Sequence, residues 1–412
     1  MIHFEKFILK NGLRVIVHED KTTPMAVLNV MYDVGARDED PGQTGFAHLF
    51  EHLMFGGSIN IPAYDEPLQM AGGENNAYTT NDLTNYYIQL PAENLETAFW
   101  LESDRMLSLA FNEKSLDTQR KVVSEEFKEH YINKPYGDVW AKMRELAYTK
   151  HPYRWMTIGK ELSHIEDAKL TDVNNFFFKH YTPLNAILCV AGNVTTEQVQ
   201  QLAEKWFGDI PAGTKYERNL PQEPIQAAPK KLEVRSKVPL DALYKCWHIY
   251  PRLDHRYYIT DLITDILGGG ASSRLYQALV KEKQLFSNIN CFHFGSVDAG
   301  LLAIEGKLVK GVSMEEAEAA IEAELQKIKT EQIDEVELQK VKNKTESLIA
   351  FEDISLINRA NSLATYELLG DASLMNRELD HYKAVTTQDI ITESNNIFKE
   401  DNSNTMYYYS EN

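Results

Sequence analysis

Cysteine is scarce in this sequence, and the few that occur are far apart. The 412 residues contain only Cys189, Cys246 and Cys291. An odd number of widely separated cysteines cannot form a disulfide framework or a closed cysteine-rich zinc site. This cysteine usage favours a reducing compartment.

Long apolar runs are also missing. No uninterrupted apolar stretch approaches the roughly eighteen residues that a membrane-spanning helix needs. At the N-terminus, the apolar run Phe7–Leu9 is interrupted by Lys10, which makes it too short for the apolar core of a secretory signal. We therefore expect a cytoplasmic protein that does not enter a membrane.

Positive charge is in short supply. Lys and Arg number 42 against 61 Asp and Glu, which gives a formal net charge of −19 at pH 7. This is the wrong sign for an electrostatic grip on nucleic-acid phosphates or anionic lipids, so we expect neither as a partner. Hydrophobic residues at 43% and charged residues at 25% are ordinary values for a globular protein with sizeable cores.

The length and the proline distribution indicate two domains. At about 150 residues per domain, the chain has room for two or three domains. Five prolines lie in mainly polar sequence between Pro211 and Pro239, a composition typical of an extended connection. We predict a first domain at residues 1–212, a linker at 213–238 and a second domain at 239–412.

The two predicted domains begin with the same order of elements. The strand 27–34 and the helix 46–55 in the first half match the strand 242–249 and the helix 257–267 in the second, and each helix stops at consecutive glycines. This order predicts a diverged duplication. Residues 315–344 have charges and apolar residues at helical spacing, which predicts one surface helix packed on a sheet.

The predicted helix 46–55 contains the candidate metal-binding and catalytic residues. His48 and His52 are four residues apart, so both imidazoles lie on one helix face and can reach one metal ion. Glu51 is too close in the chain to be an easy third ligand, but it is well placed to take a proton from water at the metal. The alternative is a coincidence on a solvated helix. The apolar neighbours Leu49 and Leu53 argue against it, because unpaired imidazoles are costly in an interior.

A catalytic zinc site needs a third protein ligand from elsewhere in the chain. The predicted helix 113–131 is the richest source. Its buried side is predicted to carry Val122, Val123 and Phe127. Glu126 shares that side, whereas Glu125 is rotated toward solvent, so Glu126 is the best candidate and Glu129 and His130 are poorer ones. From the residues alone, an acidic helix of this kind is more often a plain solvated surface than a source of a metal ligand.

At this point the sequence resembles a known family, the pitrilysin-type inverzincin metallopeptidases, in the branch of the mitochondrial processing peptidases and their bacterial relatives. The family has an H-x-x-E-H helix, as at His48–His52, and a later glutamate ligand in an R-x-V-V-x-x-E context, as at 120–126. Further matches cover 11–15, 34–39, 151–153, 181–185, 190–194 and 268–275, so the resemblance spans essentially the whole chain. One departure is Gln119, where family members often carry a second glutamate, and it puts only a supporting role in doubt.

The resemblance implies both a fold and an activity. The fold is α+β, with two homologous halves, each a mainly antiparallel sheet with helices packed on one face. His48, His52 and Glu126 would bind Zn²⁺, and Glu51 would act as general base and then acid. The protein would be a zinc endopeptidase that cleaves unfolded peptides enclosed between two clamshell halves. The alternative is a non-catalytic scaffold or partner subunit of a peptidase complex.

The second half is predicted to lack metal chemistry. When the two glycine stops are superposed, Thr260, Ile263 and Thr264 fall at the positions of the histidines and the glutamate. We therefore expect one zinc ion per chain.

The resemblance also implies a place for the substrate. The segment Asn76, Ala77, Tyr78 and Thr79 matches a family strand at a sheet edge beside the zinc, where a peptide adds as an extra strand. The alternative is an ordinary hairpin strand.

The resemblance finally implies a partner. Family members that work alone carry an arginine and a tyrosine in the second half, where this chain has Val280 and Ser287. We expect a homologous second subunit that supplies the pair, in a heterodimer. A homodimer is the alternative if Arg274, Lys281 or Lys283 substitutes.

Overall fold

The computed structural model of the protein describes residues 1–411, which form two compact units. The strands are β1 (Glu5–Ile8), β2 (Arg14–Glu19), β3 (Met25–Tyr32), β4 (Glu74–Thr79), β5 (Thr84–Pro91), β6 (Ala186–Gly192), β7 (Lys230–Ser236), β8 (Ala242–His248), β9 (Phe286–Phe294), β10 (Leu301–Leu308) and β11 (Ser403–Ser410). The α-helices of the first two hundred or so residues are α1 (Phe46–Leu53), α2 (Asp65–Met70), α3 (Leu95–Leu107), α4 (Glu113–Phe127), α5 (Val139–Ala147), α6 (Leu162–Glu166), α7 (Leu170–His180) and α8 (Thr196–Phe207). The later ones are α9 (Arg256–Gly268), α10 (Met314–Thr330), α11 (Glu335–Glu352), α12 (Leu356–Leu368), α13 (Glu378–Ala384) and α14 (Thr387–Ile397). Two π-helical segments cover Lys128–Ile132 and Tyr276–Glu282.

The two units are discontinuous along the chain. The first unit comprises Met1–Glu129, Trp155–Pro221 and Ala350–Asn376. The second comprises His130–Arg154, Gln222–Ile349 and the residues from Arg377 onward. The packing units therefore differ from the contiguous division predicted from the sequence, because α5 packs with the second unit and α12 with the first.

The C-terminal part of the predicted linker 213–238 is a β-strand and not only an extended connection. Its last residues form β7, in which half-buried side chains alternate with exposed ones and the backbone pairs with β11 in parallel. The sheet supplies partners for a segment whose prolines and polar residues suggested only an extended connection. Within residues 1–411, no helix is both long and apolar enough to cross a lipid bilayer.

The first unit contains a six-stranded sheet in the order β1-β2-β6-β3-β5-β4. All neighbours are antiparallel except β2 and β6. Side chains alternate between the faces, and in the central strands β3 and β6 the side chains on both faces are buried. Val27 and Met31 of β3 pack against Leu363 of α12, while Leu28 and Val30 on the other face are fully buried where α3 contacts β3.

The second unit contains a five-stranded sheet in the order β7-β11-β8-β10-β9. Its pairs are antiparallel except β7 and β11. One face packs on α9, α10 and α14. The other face, with Tyr244 and Met406, packs on Val139 and Met143 of α5. Each unit thus has one sheet face covered by a helix from the other half of the chain.

The two sheets have the same plan. The order β2-β6-β3-β5-β4 matches β7-β11-β8-β10-β9, with the parallel pair at the same place in both. The predicted α+β fold with two mainly antiparallel halves is confirmed. The exchanged helices add a second helical layer to the one that the sequence predicts.

Candidate metal centre

The helix α1, which carries the H-x-x-E-H motif, is preceded by a glycine that the backbone conformation requires. Gly45 has a left-handed φ of 87°, and a Cβ atom there would lie 2.5 Å from the carbonyl oxygen of Ile158. The first helical N–H groups are capped from outside the helix. The buried carboxylate of Glu39 accepts hydrogen bonds from the backbone nitrogens of Gly45, at 2.9 Å, and Ala47, at 2.8 Å. Burial raises the pKa of Glu39 to about 8, although these two hydrogen bonds oppose the rise.

The three predicted ligands converge. Nε2 of His48 lies 3.8 Å from Oε1 of Glu126, and Nε2 of His52 lies 3.5 Å from Oε2 of the same carboxylate. The two imidazole rings are 4.8 Å apart and nearly perpendicular. Tetrahedral ligands at about 2.0–2.1 Å from one zinc ion are separated by about 3.3 Å, so this set fits zinc with small side-chain adjustments. Among residues 1–411, no other group of His, Cys, Asp and Glu is close enough to hold a metal ion.

Burial favours the neutral form of both histidine rings. Burial, followed by the proximity of His52, lowers the pKa of His48 to about 4. Burial also lowers the pKa of His52, against the opposing charge of Glu126. Neutral imidazole is the form that binds a metal, so neither ring has to lose a proton at pH 7.

Glu51 is held beside this group by a threonine. Oγ1 of Thr79 donates a hydrogen bond of 2.5 Å to Oε2 of Glu51. The pKa of Glu51 is raised, mainly by burial and also by the charge of Glu126, while the Thr79 hydroxyl acts in the opposite direction. A carboxylate with a raised pKa is a stronger base, as a proton-transfer role at neutral pH requires.

The helix α4 presents Glu126 from a side that differs slightly from the predicted one. Val123 is buried, but Val122 is 45% exposed, so the buried side of α4 is rotated away from Val122. Glu126 follows Val123 by three residues and is half-buried. Glu125 points to solvent and pairs with Lys128 at 2.8 Å. The poorer candidates, Glu129 and His130, are exposed.

The predicted substrate segment lies at a sheet edge. Residues Asn76–Thr79 belong to β4, the outermost strand of the first sheet, which pairs only with β5 among the described strands. The backbone nitrogen of Ala77 donates to Oδ1 of its neighbour Asn76 at 2.8 Å. The side chain of Thr79 also contacts the predicted general base, Glu51. Substrate binding along β4 and a supporting role for the half-buried Gln119 stay predictions.

The corresponding positions of the second half hold no metal ligand. Thr260 and Thr264 are buried in α9 and donate to carbonyl oxygens of their own helix. Val280 lies in the π-helical segment Tyr276–Glu282. Ser287 lies on β9 and donates to the carbonyl oxygen of Lys307 at 3.1 Å.

Sequence reasoning missed Glu39 and its contact with α1. Glu39 stands six residues before Gly45, outside the spacing of a local capping box. The only available signal was the match of the loop 34–39 to the family, which did not assign a role to this residue.

Comparisons with known proteins match the whole chain. The family model described as Insulinase (Peptidase family M16) matches residues 14–155, and the one described as Peptidase M16 inactive domain matches residues 167–345. Zinc protease PqqE of Helicobacter pylori is 30% identical over 98% of this chain and 92% of its own length. The mitochondrial-processing peptidase subunit beta of Saccharomyces cerevisiae is 29% identical over 49% of this chain and 44% of its own.

A solved structure agrees with these relatives. The crystal structure of a protease from Helicobacter pylori superposes with a TM-score of 0.92 at 28% identity, covering 99% of this chain and all of that one. The resemblance found in the sequence is confirmed. Since both family models match in order and a relative of 30% identity spans nearly the full length, the chain belongs to peptidase family M16.

Proposed function

We propose that the protein is a zinc-dependent endopeptidase that cleaves unfolded peptides. The observation that carries this proposal is the convergence of His48, His52 and Glu126 beside a carboxylate, Glu51, which is not needed as a ligand. When bound there, zinc supplies Lewis-acid chemistry, because it makes water a stronger acid and polarises a carbonyl oxygen.

The proton transfers fall to Glu51. Its carboxylate takes the proton from the attacking water and then passes it to the nitrogen of the departing amine. Thr79 holds one carboxylate oxygen, so Glu51 keeps one orientation through both transfers. His48 and His52 stay neutral at pH 7 because burial lowers the pKa of both rings.

The peptide would bind through its backbone. The free edge of β4 offers N–H and C=O groups along Asn76–Thr79, and pairing with them gives affinity with little side-chain selectivity. Ala77 would exchange its contact with Asn76 for one with the substrate. Enclosure of the peptide between two halves and a cytoplasmic location are parts of this proposal that rest on the family resemblance and the composition.

The alternative is a non-catalytic scaffold or partner subunit of a peptidase complex. A scaffold needs the fold but has no use for the ligand set. The presence of both histidines, Glu51 and Glu126 in one centre therefore favours the enzyme.

The test compares metal content and peptidase activity in matched variants of the whole chain. Glu51→Gln should keep about one zinc per chain, and its activity should fall by roughly 10²–10⁴-fold, the usual contribution of a general base to the rate. His52→Ala should lose both zinc and activity. Glu125→Gln is the control, since Glu125 is a neighbour of a ligand but points to solvent. Full activity in Glu51→Gln, or a wild-type protein that binds no zinc, would overturn the proposal.

A further inference from the structure

Arg218, in the connection between α8 and β7, forms hydrogen-bonded ion pairs with two carboxylates, those of Asp38 and Asp33. Its Nε and Nη2 atoms donate to the two oxygens of Asp38, at 2.7 and 3.0 Å. Nη2 also donates to Oδ1 of Asp33 at 2.8 Å and to the Asp33 carbonyl oxygen at 3.0 Å. A planar guanidinium can make such a fork, whereas the point charge of a lysine cannot.

Asp38 depends on this partner because its side chain is inaccessible to solvent. The Asp38 carboxylate is fully buried, while the Arg218 side chain is 21% exposed. Asp38 also accepts a hydrogen bond from the backbone nitrogen of Gly35, which closes the loop 33–39 on itself. A buried carboxylate that loses its cation is destabilised, so removal of Arg218 should favour opening of the loop.

The same loop holds the N-terminus of the helix that carries the H-x-x-E-H motif. Glu39 is the next residue after Asp38, and its carboxylate caps the nitrogens of Gly45 and Ala47 at the start of α1. His48 follows Ala47 directly. A covalent and hydrogen-bonded path therefore runs from Arg218 through Asp38 and Glu39 to the first predicted zinc ligand.

We propose that Arg218 is a positioning residue for the metal centre, which fixes the loop 33–39 and through it the orientation of α1. This inference rests on the proposed function insofar as α1 is taken to be the zinc-binding helix. Arg218 itself has no contact with His48, His52 or Glu126 among the hydrogen bonds and ion pairs of the described residues.

The experiment compares Arg218→Gln with a matched control, Arg359→Gln, in the full chain. Arg359 lies on α12 in the same unit and makes a similarly sheltered ion pair with Asp20, at 2.8 Å, but it contacts neither the loop nor α1. Arg218→Lys is the conservative variant. Amide hydrogen exchange of residues 40–54 is measured in metal-free protein, and the visible spectrum of bound Co²⁺ reports ligand geometry.

Arg218→Gln should raise exchange in residues 40–54 by about tenfold or more and should alter the Co²⁺ spectrum. It should also lower kcat by roughly 10–10²-fold with little change in KM, since small displacements of a reacting group have effects of this size. Arg218→Lys should lie between the wild type and Arg218→Gln. Arg359→Gln should leave all three properties as in the wild type.

Equal exchange in residues 40–54 for Arg218→Gln and the wild type would overturn the inference, and so would an equal increase in Arg359→Gln. If Arg218→Gln does not fold, the comparison of Arg218→Lys with Arg359→Gln decides in the same way. The exchange measurement uses metal-free protein, so it tests the inference even if the chain proves not to be a peptidase. If the proposed peptidase function is wrong, the comparison of Glu51→Gln with the wild type shows it instead.

Discussion

A single hydroxyl sets the orientation of the predicted general base. The Glu51 carboxylate lies on α1, and Thr79 reaches it from β4, so the base is fixed between a helix and the sheet edge. The same strand is the proposed place of the substrate. Orientation of the base and placement of the peptide therefore depend on one strand.

We predict that Thr79→Val lowers kcat by about tenfold and leaves zinc content unchanged. Valine has nearly the shape of threonine but cannot donate, so the carboxylate gains rotational freedom and is less often aligned for proton transfer. Steady-state kinetics and metal analysis check this. Thr79→Ser keeps the hydroxyl and serves as control. Wild-type kcat in Thr79→Val would show that the hydrogen bond has no role in catalysis.

His180 illustrates the energetic cost of a buried imidazole. Its ring is inaccessible to solvent and packs against the rings of Phe176 and Tyr216, and neither ring nitrogen has a hydrogen-bond partner among residues 1–411. Burial, and then the charges of Lys179 and Arg218, lowers its pKa to about 3. The folded protein therefore holds this ring neutral.

This depressed pKa predicts a loss of stability in mild acid. An unfolded histidine takes up a proton below about pH 6.5, whereas folded His180 does so only near pH 3. Stability attributable to this group is thus complete above pH 6.5 and falls as the pH drops, by about 2 kcal/mol at pH 5. Urea unfolding of wild type and His180→Leu at pH 7 and 5 measures the difference. The variant should lose less stability on acidification, whereas the exposed control His255→Leu should behave as wild type.

At the scale of elements, the exchanged helices α5 and α12 complete the two cores. Ala360, Leu363 and Ala364 of α12 are fully buried against the first sheet. A sheet whose two faces are both apolar cannot leave one of them in water without a large loss of hydrophobic free energy. Each unit therefore needs a helix that lies far from it in the sequence.

We predict that Leu363→Ala destabilises the first unit by about 2–5 kcal/mol, the usual cost of truncating a fully buried leucine. Leu348→Ala on α11 is the control, because Leu348 is 51% exposed and its loss should change stability by less than about 0.5 kcal/mol. Hydrogen exchange of β3 and urea unfolding both report on this unit. Similar losses in the two variants would mean that α12 does not complete the core.

The sequence predicts local features of this fold better than distant ones. The H-x-x-E-H helix and the strands β3 and β8 follow from short patterns. Residues 315–344 are predicted as one helix but form two, since α10 ends at Thr330 and α11 begins at Glu335. The prediction is wrong here because no glycine or proline marks the break between them. The exposure of Val122 was missed because adjacent helical positions differ by 100°, so one apolar residue too many shifts the predicted face. The helix exchange leaves no local signal, since it is decided by packing.

At the scale of the whole molecule, two halves of the same plan have different chemistry. The helix α9 corresponds to α1, but its Thr260 and Thr264 hydroxyls are bonded to their own helix. The second half is thus free of metal ligands at these positions. A duplicated half that lacks the ligands can still contribute substrate contacts, as the family resemblance implies for an arginine and a tyrosine. This chain has Val280 and Ser287 at those two positions.

We predict that the chain needs a second, homologous subunit for full activity. Neither a valine nor a serine already bonded to Lys307 can replace guanidinium and phenol donors at a developing oxyanion, and the loss of one such donor typically costs about 10²–10³-fold in rate. We therefore expect weak peptidase activity from the isolated chain. Addition of a similar chain that lacks H-x-x-E-H but keeps the arginine and tyrosine should raise the rate by this factor.

The dependence of activity on protein concentration distinguishes a heterodimer from a homodimer. If Arg274, Lys281 or Lys283 of a second identical copy replaces the missing donors, activity per chain should rise with the concentration of this protein alone, and the substitution of that residue should abolish the rise. Arg274 already pairs with Glu337 at 2.6 Å, so it would have to leave that carboxylate to serve. Full activity at all concentrations of the isolated chain, unchanged by the partner, would show that one chain is sufficient and that other residues stabilise the oxyanion.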